Sequence, residues 1–261
     1  MENLDVIKIG GNIIDDEKKL SSFLQSFSSI QSHKILIHGG GRLATKLADT
    51  LGVQQRLIDG RRITDAETLK IVTMVYAGFI NKNIVSQLQS KNCNAIGLCG
   101  ADANIIQAHK RIHPSIDYGF VGDIDKINAV QLKQLINSGL TPIIAPITSD
   151  AEGQLLNTNA DTIAQEIAKA MSEYYNVQLI FSFEKSGVLL DVNDENSVIK
   201  KLTSQYYLEL KTNTKIFAGM IPKIDNAFAA LNSGVKKVII GNAQKLNDLI
   251  NNSTGTTITN E

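Results

Sequence analysis

Residues 6–11 read Val-Ile-Lys-Ile-Gly-Gly, and residues 35–41 read Ile-Leu-Ile-His-Gly-Gly-Gly. Each stretch is a short apolar run that ends in consecutive glycines. Similar apolar runs recur along the chain, and they are Val6–Ile9, Ile35–Ile37, Ala95–Leu98, Pro142–Ile147, Val177–Phe181 and Val238–Ile240. Continuous apolar runs are typical of buried parallel strands that helices connect. The pattern predicts an α/β fold.

Helices are predicted between these runs from apolar spacing and from capping residues. Thr64 and Glu67 form a capping-box pattern at the start of the longest helical segment, which runs towards Leu88. Further helices are predicted at Ala129–Asn137, Asp161–Met171 and Pro222–Asn232. No repeat or low-complexity linker interrupts the alternation of strands and helices, so we expect one domain.

Composition and charge limit the classes of partner. The chain has 261 residues, with 26 Lys+Arg and 26 Asp+Glu, and 43% of its residues are hydrophobic. A formal net charge of zero removes the bulk electrostatic argument for nucleic acid or an anionic membrane, because both attract an excess of Lys and Arg. No apolar stretch approaches the roughly 20 residues that cross a membrane, and no signal-peptide pattern precedes Val6. We expect a cytoplasmic protein that binds small molecules.

Cys93 and Cys99 are the only cysteines. They flank a short apolar run, and neither a His nor a second Cys pair lies at a metal-ligand spacing. The pattern predicts two buried thiols and no metal site made by the protein.

Glycines concentrate where the apolar runs end. Gly10 and Gly11 follow the first run, Gly39–Gly41 follow the second, and Gly100 follows the third. One such turn is explained by the freedom of glycine in tight turns. Three at the edge where open α/β sheets bind ligands favour an anion-binding crevice. The chain lacks the spacing of both the phosphate loop G-x-x-x-x-G-K-[ST] and the dinucleotide motif G-x-G-x-x-G.

Two lysines stand at unusual positions. Lys8 lies inside an apolar run, where either its ammonium faces a crevice or its side chain reaches solvent from an edge strand. Lys223 stands near the start of a predicted helix, where the helix dipole disfavours a cation unless a polyanion binds nearby. Asn157–Asp161 leads into another helix, and Asn and Asp are also ordinary N-cap residues there.

Taken in order, these motifs resemble the amino acid kinase family. They are Lys8-Ile9-Gly10-Gly11, His38-Gly39-Gly40-Gly41, Gly60-Arg61-Arg62, Asn157-Thr158-Asn159-Ala160-Asp161, Gly187-Val188-Leu189 and Gly219-Met220-Ile221-Pro222-Lys223. The resemblance implies a three-layer sandwich around a largely parallel sheet of about eight strands. It also implies a single domain, residues 1–261, in which residues 1–172 bind the amino-acid substrate and form a dimer, while residues 173–261 bind ATP.

The resemblance implies the reaction and the residue roles. ATP would phosphorylate the side-chain carboxylate of an N-acylated glutamate in arginine biosynthesis, and Mg²⁺ would enter bound to the nucleotide phosphates. The implied roles are Lys8 and Lys223 on the transferred phosphoryl group, Asp161 orienting both lysines, Gly40, Gly41, Arg62 and Asn157 on the substrate, and Gly10, Gly11, Glu184, Gly187 and Met220 on the nucleotide. A glutamate carboxyl, with an ordinary pKa of about 4.3, is already ionised at neutral pH and needs no general base.

The chain departs from the family pattern at two places. Residues 181–185 read Phe-Ser-Phe-Glu-Lys, where many members carry Thr-Asp or Ser-Asp followed by a small apolar residue. The sequence also begins directly at the first strand, so we expect a dimer without arginine feedback. Two alternatives stay open: a kinase for another acid such as N-succinylglutamate, and a non-catalytic sensor. The presence of both Lys8 and Lys223 argues against the sensor.

Overall fold

The computed structural model describes residues 1–58, 61–213, 216 and 220–260. The chain divides into two compact units. The first unit comprises Met1–Leu36 and Ala164–Glu261, and the second comprises Ile37–Ile163. The division of roles between residues 1–172 and 173–261 stays a prediction.

Strands and helices alternate along the chain, as the sequence predicts. The described strands are β1 (Asn3–Ile9), β2 (His33–His38), β3 (Arg56–Ile58), β4 (Arg61–Ile63), β5 (Ala95–Leu98), β6 (Ile106–Lys110), β7 (Gly122–Ile127), β8 (Thr141–Ile144), β9 (Ile147–Ser149), β10 (Leu155–Asn157), β11 (Asn176–Phe183), β12 (Lys201–Thr203), β13 (Lys237–Asn242) and β14 (Thr256–Thr259). The described α-helices are α1 (Gly11–Ile14), α2 (Glu17–Ser28), α3 (Gly41–Thr50), α4 (Ala66–Thr73), α5 (Asn81–Gln89), α6 (Ala129–Asn137), α7 (Ala160–Met171), α8 (Ser204–Thr212), α9 (Ile221–Asn232) and α10 (Leu246–Ile250).

The main sheet has eight strands. In the first unit the strand order is β12-β14-β13-β11-β1-β2. There β1 and β13 both pair parallel with β11, whereas β14 pairs antiparallel with β13. In the second unit β5 pairs parallel with β8. The predicted α/β fold with a largely parallel sheet of eight strands is confirmed.

The second unit also holds a smaller sheet, which corrects one predicted strand. The run Pro142–Ile147 is not continuous: β8 ends at Ile144 in the main sheet, and β9 begins at Ile147 in a four-stranded sheet of order β10-β9-β6-β7. Pro146 lies at the break, and a proline cannot donate a ladder hydrogen bond. The chain can therefore change sheets at this point.

Helix α2 illustrates why the helices form where they do. The Asp16 carboxylate caps its start by accepting hydrogen bonds from the backbone amides of Lys18 and Lys19. Its buried residues follow a helical spacing and form one apolar face: Leu20, Phe23, Leu24 and Phe27. This face contributes large, fully buried side chains to the core of the first unit.

The predicted helix from Thr64 towards Leu88 is present but differs in its start and its middle. Asp65, not Thr64, caps α4 by accepting from the Thr68 amide at 2.8 Å. Thr64 instead forms an isolated bridge with Gly119. Between α4 and α5 the chain forms a π-helix, Met74–Ile80, which the spacing of apolar residues does not distinguish from an α-helix.

Both cysteines carry free thiols. Cys93 is buried and Cys99 is half-buried, and burial raises the pKa of the Cys99 thiol. In the ranges that the structure describes, no helix is both long enough and apolar enough to span a membrane.

Candidate active site

The first unit places a glycine turn directly after β1. The Gly10 amide donates to the Ser182 carbonyl at 2.8 Å, and a Cβ on Gly10 would lie 3.1 Å from Phe183 Cβ. The chain then turns at once into α1, which begins at Gly11. The close approach of β1 and β11 at their carboxyl ends explains the glycine at position 10.

Lys8 is half-buried near the carboxyl end of β1. Because β1 lies between β11 and β2 in the first unit, Lys8 does not reach solvent from an edge strand, and that alternative is wrong. Its register partner on β11 is Phe181. Register partners on neighbouring strands project to the same face of a sheet, so Lys8 and Phe181 share a face.

Lys223 approaches the same phenylalanine from α9. Its Nζ lies 5.1 Å from the centroid of the Phe181 ring and 6.0 Å from that of Phe183. These distances fit cation–π contacts. Phe181 therefore shares a sheet face with Lys8 and contacts Lys223, although the two lysines stand 215 positions apart in the sequence. Sequence reasoning noticed Phe181 and Phe183 only as a departure from the family pattern.

Besides Gly10 and Gly11, three residues are predicted to bind the nucleotide, and all three lie in the first unit. Glu184 is exposed just after β11, and its carbonyl accepts from Asn242 Nδ2 at 3.0 Å. Gly187 is buried, and a Cβ there would lie 2.6 Å from Thr256 Oγ1. Met220 is half-buried and immediately precedes α9. Packing against Thr256 therefore already requires glycine at position 187. Gly60 and Gly219 of the motifs lie outside the described residues.

The second unit contains the triple-glycine turn after β2. Gly40 adopts a φ of +153°, which favours glycine. Its carbonyl accepts from the Ala44 amide at 3.1 Å in the first turn of α3, which begins at Gly41. The start of a helix presents amide groups and a positive dipole end, which suits an anion.

Arg62 lies beside this turn. Its Nη2 donates to the Gly41 carbonyl at 3.0 Å and to Thr45 Oγ1 at 2.8 Å. Its Nη1 donates to Gln55 Oε1, and Gln55 in turn donates to Thr68 on α4 at 3.2 Å. The guanidinium is therefore held in one orientation at the start of α3.

Asn157 ends β10 in the same unit. Its Nδ2 donates to Thr64 Oγ1 at 3.0 Å. That hydroxyl in turn donates to the Arg62 carbonyl at 3.4 Å. Thr64 therefore links two of the predicted substrate residues, and sequence reasoning missed it because Thr64 was assigned to a capping box.

Asp161 stands in the first turn of α7 and is half-buried. The Asn159 side chain accepts from the backbone amides of Asp161 and Thr162, at 2.8 and 3.1 Å. Asn159 thus acts as the ordinary cap of this helix. The helix dipole favours a carboxylate at this end of a helix.

His38 is a fully buried residue of the triple-glycine motif that was given no role. Its Nδ1 donates to the Gly39 carbonyl at 2.9 Å, and its Nε2 accepts from Asn81 Nδ2 at 3.1 Å. Burial lowers the pKa of His38 to about 4, aided by the nearby Lys82 charge and opposed by the bond to Gly39. The imidazole is neutral at physiological pH, and both of its nitrogens are engaged.

Glycine turns at the ends of parallel strands, with cations beside them, define an α/β protein that binds anionic groups. The chain belongs to the amino acid kinase family, whose model matches residues 3–242. The family resemblance read from the sequence motifs is confirmed.

Similar proteins cover nearly the whole chain. The chain is 54% identical over 252 residues to the acetylglutamate kinase of Cytophaga hutchinsonii, covering 96% of each chain. It is 51% identical over 247 residues to the acetylglutamate kinase of Phocaeicola vulgatus, covering 95% of this chain and 96% of that one. Among solved structures, smu.665 from Streptococcus mutans UA159 superposes with a TM-score of 0.81 at 28% identity, covering 99% of each chain.

Proposed function

We propose that the chain catalyses the ATP-dependent phosphorylation of the side-chain carboxylate of N-acetyl-L-glutamate. The product would be N-acetylglutamyl 5-phosphate, an intermediate for arginine biosynthesis. The observation that carries this proposal is the identity of 54% and 51% to two acetylglutamate kinases, each covered over 96% of its length. A match of 252 residues includes residues of both compact units.

In the proposed reaction a carboxylate oxygen of the substrate attacks the γ-phosphorus of ATP. The bond from that phosphorus to the bridging oxygen breaks, and ADP leaves with the electron pair. Repulsion between the two anions is the main obstacle. Lys8 and Lys223 offset it by binding the transferred phosphoryl group, and Asp161 orients both ammonium groups. Two observations support this assignment: Lys8 shares a sheet face with Phe181, and Lys223 lies over the Phe181 ring.

The nucleotide is proposed to contact the first unit. The residues assigned to it are Gly10, Gly11, Glu184, Gly187 and Met220. Mg²⁺ binds through the phosphate oxygens of ATP, as it does where substrate phosphates are available. Within the described ranges, no group of three or more His, Cys, Asp or Glu side chains could hold a metal ion. When bound, the ion neutralises phosphate charge.

The N-acylated amino acid is proposed to bind the second unit. Gly40 and Gly41 contact the substrate and the transferred phosphate, while Arg62 and Asn157 hold the α-carboxylate. The position of Arg62 at the start of α3 supports this assignment, because a fixed guanidinium and a helix start both favour a carboxylate.

We also propose a cytoplasmic homodimer. Met74 and Phe79 are large apolar side chains that are 53% and 66% exposed on one short segment of the second unit. Exposed apolar groups on one element are typical of surfaces that a partner covers. Sedimentation at micromolar concentration measures the state, and a monomer would contradict the proposal.

Trapping of the acyl phosphate with hydroxylamine tests the reaction. Purified protein with ATP and Mg²⁺ should give a hydroxamate from N-acetylglutamate and little from free glutamate, whose charged amine replaces the amide. A larger hydroxamate yield from N-succinylglutamate than from N-acetylglutamate would indicate that the substrate carries a succinyl group. A lack of hydroxamate from every acylglutamate would favour the non-catalytic sensor.

A further inference from the structure

The π-helix Met74–Ile80 interrupts the long helical segment of the second unit. A π-helix is rare, and it often marks a functional site. It is flanked by α4 on one side and α5 on the other, both of which bury apolar residues. Side chains of this π-helix also contact the glycine turn at Gly40.

Two side chains of this π-helix, Tyr76 and Ile80, pack against the glycine turn at Gly40. A Cβ on Gly40 would collide with Ile80 Cδ1 and would lie 3.0 Å from Tyr76 Cδ1. Tyr76 is 5% exposed and Ile80 is 2% exposed. Burial raises the pKa of the Tyr76 phenol, while the charge of the Arg62 guanidinium and its hydrogen bond with the phenol oppose that rise. Tyr76 therefore touches both Gly40 and the surroundings of Arg62.

Asn81, the residue after the π-helix, contacts His38, which immediately precedes the glycine turn. Asn81 is fully buried, and its Nδ2 donates to His38 Nε2 at 3.1 Å and to the Ile143 carbonyl at 2.9 Å. A donor at Nε2 leaves the proton of neutral His38 on Nδ1, which donates to the Gly39 carbonyl. Asn81 thus fixes the tautomer that anchors Gly39.

The π geometry explains how one segment supplies all three contacts. An α-helix has 3.6 residues per turn, so residues five apart point in different directions. A π-helix closes its hydrogen bonds between residues five apart and is wider. Ile80 and Asn81 then fall on either side of Tyr76, and all three face the glycine turn. A regular α-helix would direct Asn81 away from His38.

We propose that this π-helical turn positions the acyl-amino-acid site, with Tyr76 and Asn81 as positioning residues for Arg62 and for the turn that contains Gly40. The inference rests on the proposed function, because it assigns these residues to the binding of the acylglutamate. In this proposal both residues act through the groups that they contact.

Two variants and one matched control test the inference. Asn81→Ala removes the donor to His38, and Tyr76→Phe removes only a hydroxyl and keeps the ring against Gly40. Each should raise the KM for N-acetylglutamate about tenfold, the loss expected for a hydrogen bond in a buried polar network. The KM for ATP should stay within roughly twofold. Asn83→Ala, at an exposed Asn of the same helix, should behave as wild type.

The ring nitrogens of His38 provide a readout besides activity. In ¹⁵N spectra at pH 7 the wild-type ring should show the proton on Nδ1 and a hydrogen-bonded Nε2, whereas in Asn81→Ala the Nε2 signal should lose the shift caused by the Asn81 hydrogen bond. If Asn81→Ala fails to fold, Tyr76→Phe still decides, because it preserves the packing.

The outcomes separate this inference from the proposed function. Wild-type protein without activity on any acylglutamate would overturn both. An active wild type, together with Tyr76→Phe and Asn81→Ala proteins that keep the wild-type KM for N-acetylglutamate, would overturn this inference alone. An equal rise in the KM values for ATP and for N-acetylglutamate would also overturn it, because general loosening of the fold has that effect.

Discussion

The two compact units hold their cations in different ways. In the second unit the Arg62 guanidinium donates to three oxygen acceptors, and its direction is fixed. In the first unit the Lys223 ammonium sits over two aromatic rings, a contact that depends little on direction. A planar guanidinium in a fixed orientation suits a carboxylate whose charge and position stay the same during the reaction. A cation over rings can follow a phosphoryl group as it moves from donor to acceptor.

This comparison separates the expected kinetic effects. Changes in the second unit should act mainly on the binding of the amino-acid substrate, because the α-carboxylate that Arg62 is proposed to hold has the same charge before and during the reaction. Changes around Phe181 in the first unit should act mainly on the transition state. Uniform binding lowers KM without raising kcat, whereas contacts made only in the transition state raise kcat.

The largest effect is expected at the two lysines. Lys8→Ala and Lys223→Ala should each lower kcat by roughly 10² to 10³, the usual cost of removing one preorganised donor. Steady-state kinetics measures kcat, and Lys18→Ala, an exposed lysine of α2, is the control. Because both ammonium groups are proposed to act on one phosphoryl group, the double variant should lose less than the product of the single losses. Near-wild-type turnover of either variant would contradict the mechanism.

The glycine turn of the second unit should be sensitive to acid. His38 has a folded pKa of about 4 against an ordinary value of 6.5, so the unfolded chain binds the proton more readily. Its contribution to stability is fully present above pH 6.5 and is lost as the pH falls towards 4. The slope is about 1.4 kcal/mol per pH unit, and the total loss is about 3 kcal/mol.

Denaturant titrations between pH 7 and 4.5 measure this slope. His38→Gln removes the titrating group, and its unfolding free energy should vary less with pH than that of the wild type. His113→Gln, at an exposed histidine, should keep the wild-type slope. Parallel curves for wild type and His38→Gln would mean that His38 is not held neutral by burial.

Arg62→Lys tests the fixed guanidinium directly. Lysine keeps the charge but replaces a planar donor array by a single ammonium, and it leaves Gln55, Thr45 and the Gly41 carbonyl without this donor. The KM for N-acetylglutamate should rise about 10- to 100-fold, as for the loss of a hydrogen bond to a charged group, while the KM for ATP changes little. Arg56→Lys, at an exposed position, is the matched control. An unchanged KM would remove Arg62 from the substrate site.

Much of the fold was predictable because the sheet is built from continuous apolar runs. Five of the six predicted runs lie within single strands. The helix after Asn128 begins where the Asn128 side chain accepts from the Gln131 amide. The sequence did not predict the break between β8 and β9 at Pro146, because the run Pro142–Ile147 is apolar throughout. The π-helix was also not predicted, because its apolar spacing resembles that of an α-helix.

The residues of the candidate site also differ in whether the sequence indicated them. Lys8 stood out in the sequence because a charge inside an apolar run is costly without a reason. Tyr76 and Asn81 gave no such signal, since a buried aromatic residue and an Asn on a helix are both ordinary. Their role depends on contacts with His38 and Gly40, which lie more than 35 positions earlier in the chain. Pattern reasoning along one segment does not reach across that separation.

The smallest effect is expected at Phe183. This substitution tests the contact between the Lys223 ammonium and the aromatic rings of the first unit. Phe183→Leu removes the ring near Lys223 but keeps the Cβ that packs against Gly10. A cation–π contact is worth about 0.5 to 1 kcal/mol at partly exposed sites. We therefore expect kcat to fall about two- to fivefold, with the KM for N-acetylglutamate unchanged.

Phe183→Tyr keeps an aromatic face and should retain most of kcat, which separates ring chemistry from size. In the Lys223→Ala background, Phe183→Leu should have no further effect on kcat, because the ammonium that the ring supports is gone. If Phe183→Leu lowers kcat equally with and without Lys223, the ring supports the turn at Gly10 instead. The contrast between a fixed guanidinium and an ammonium over rings would then rest on Phe181 alone, whose ring is the nearer of the two to Lys223.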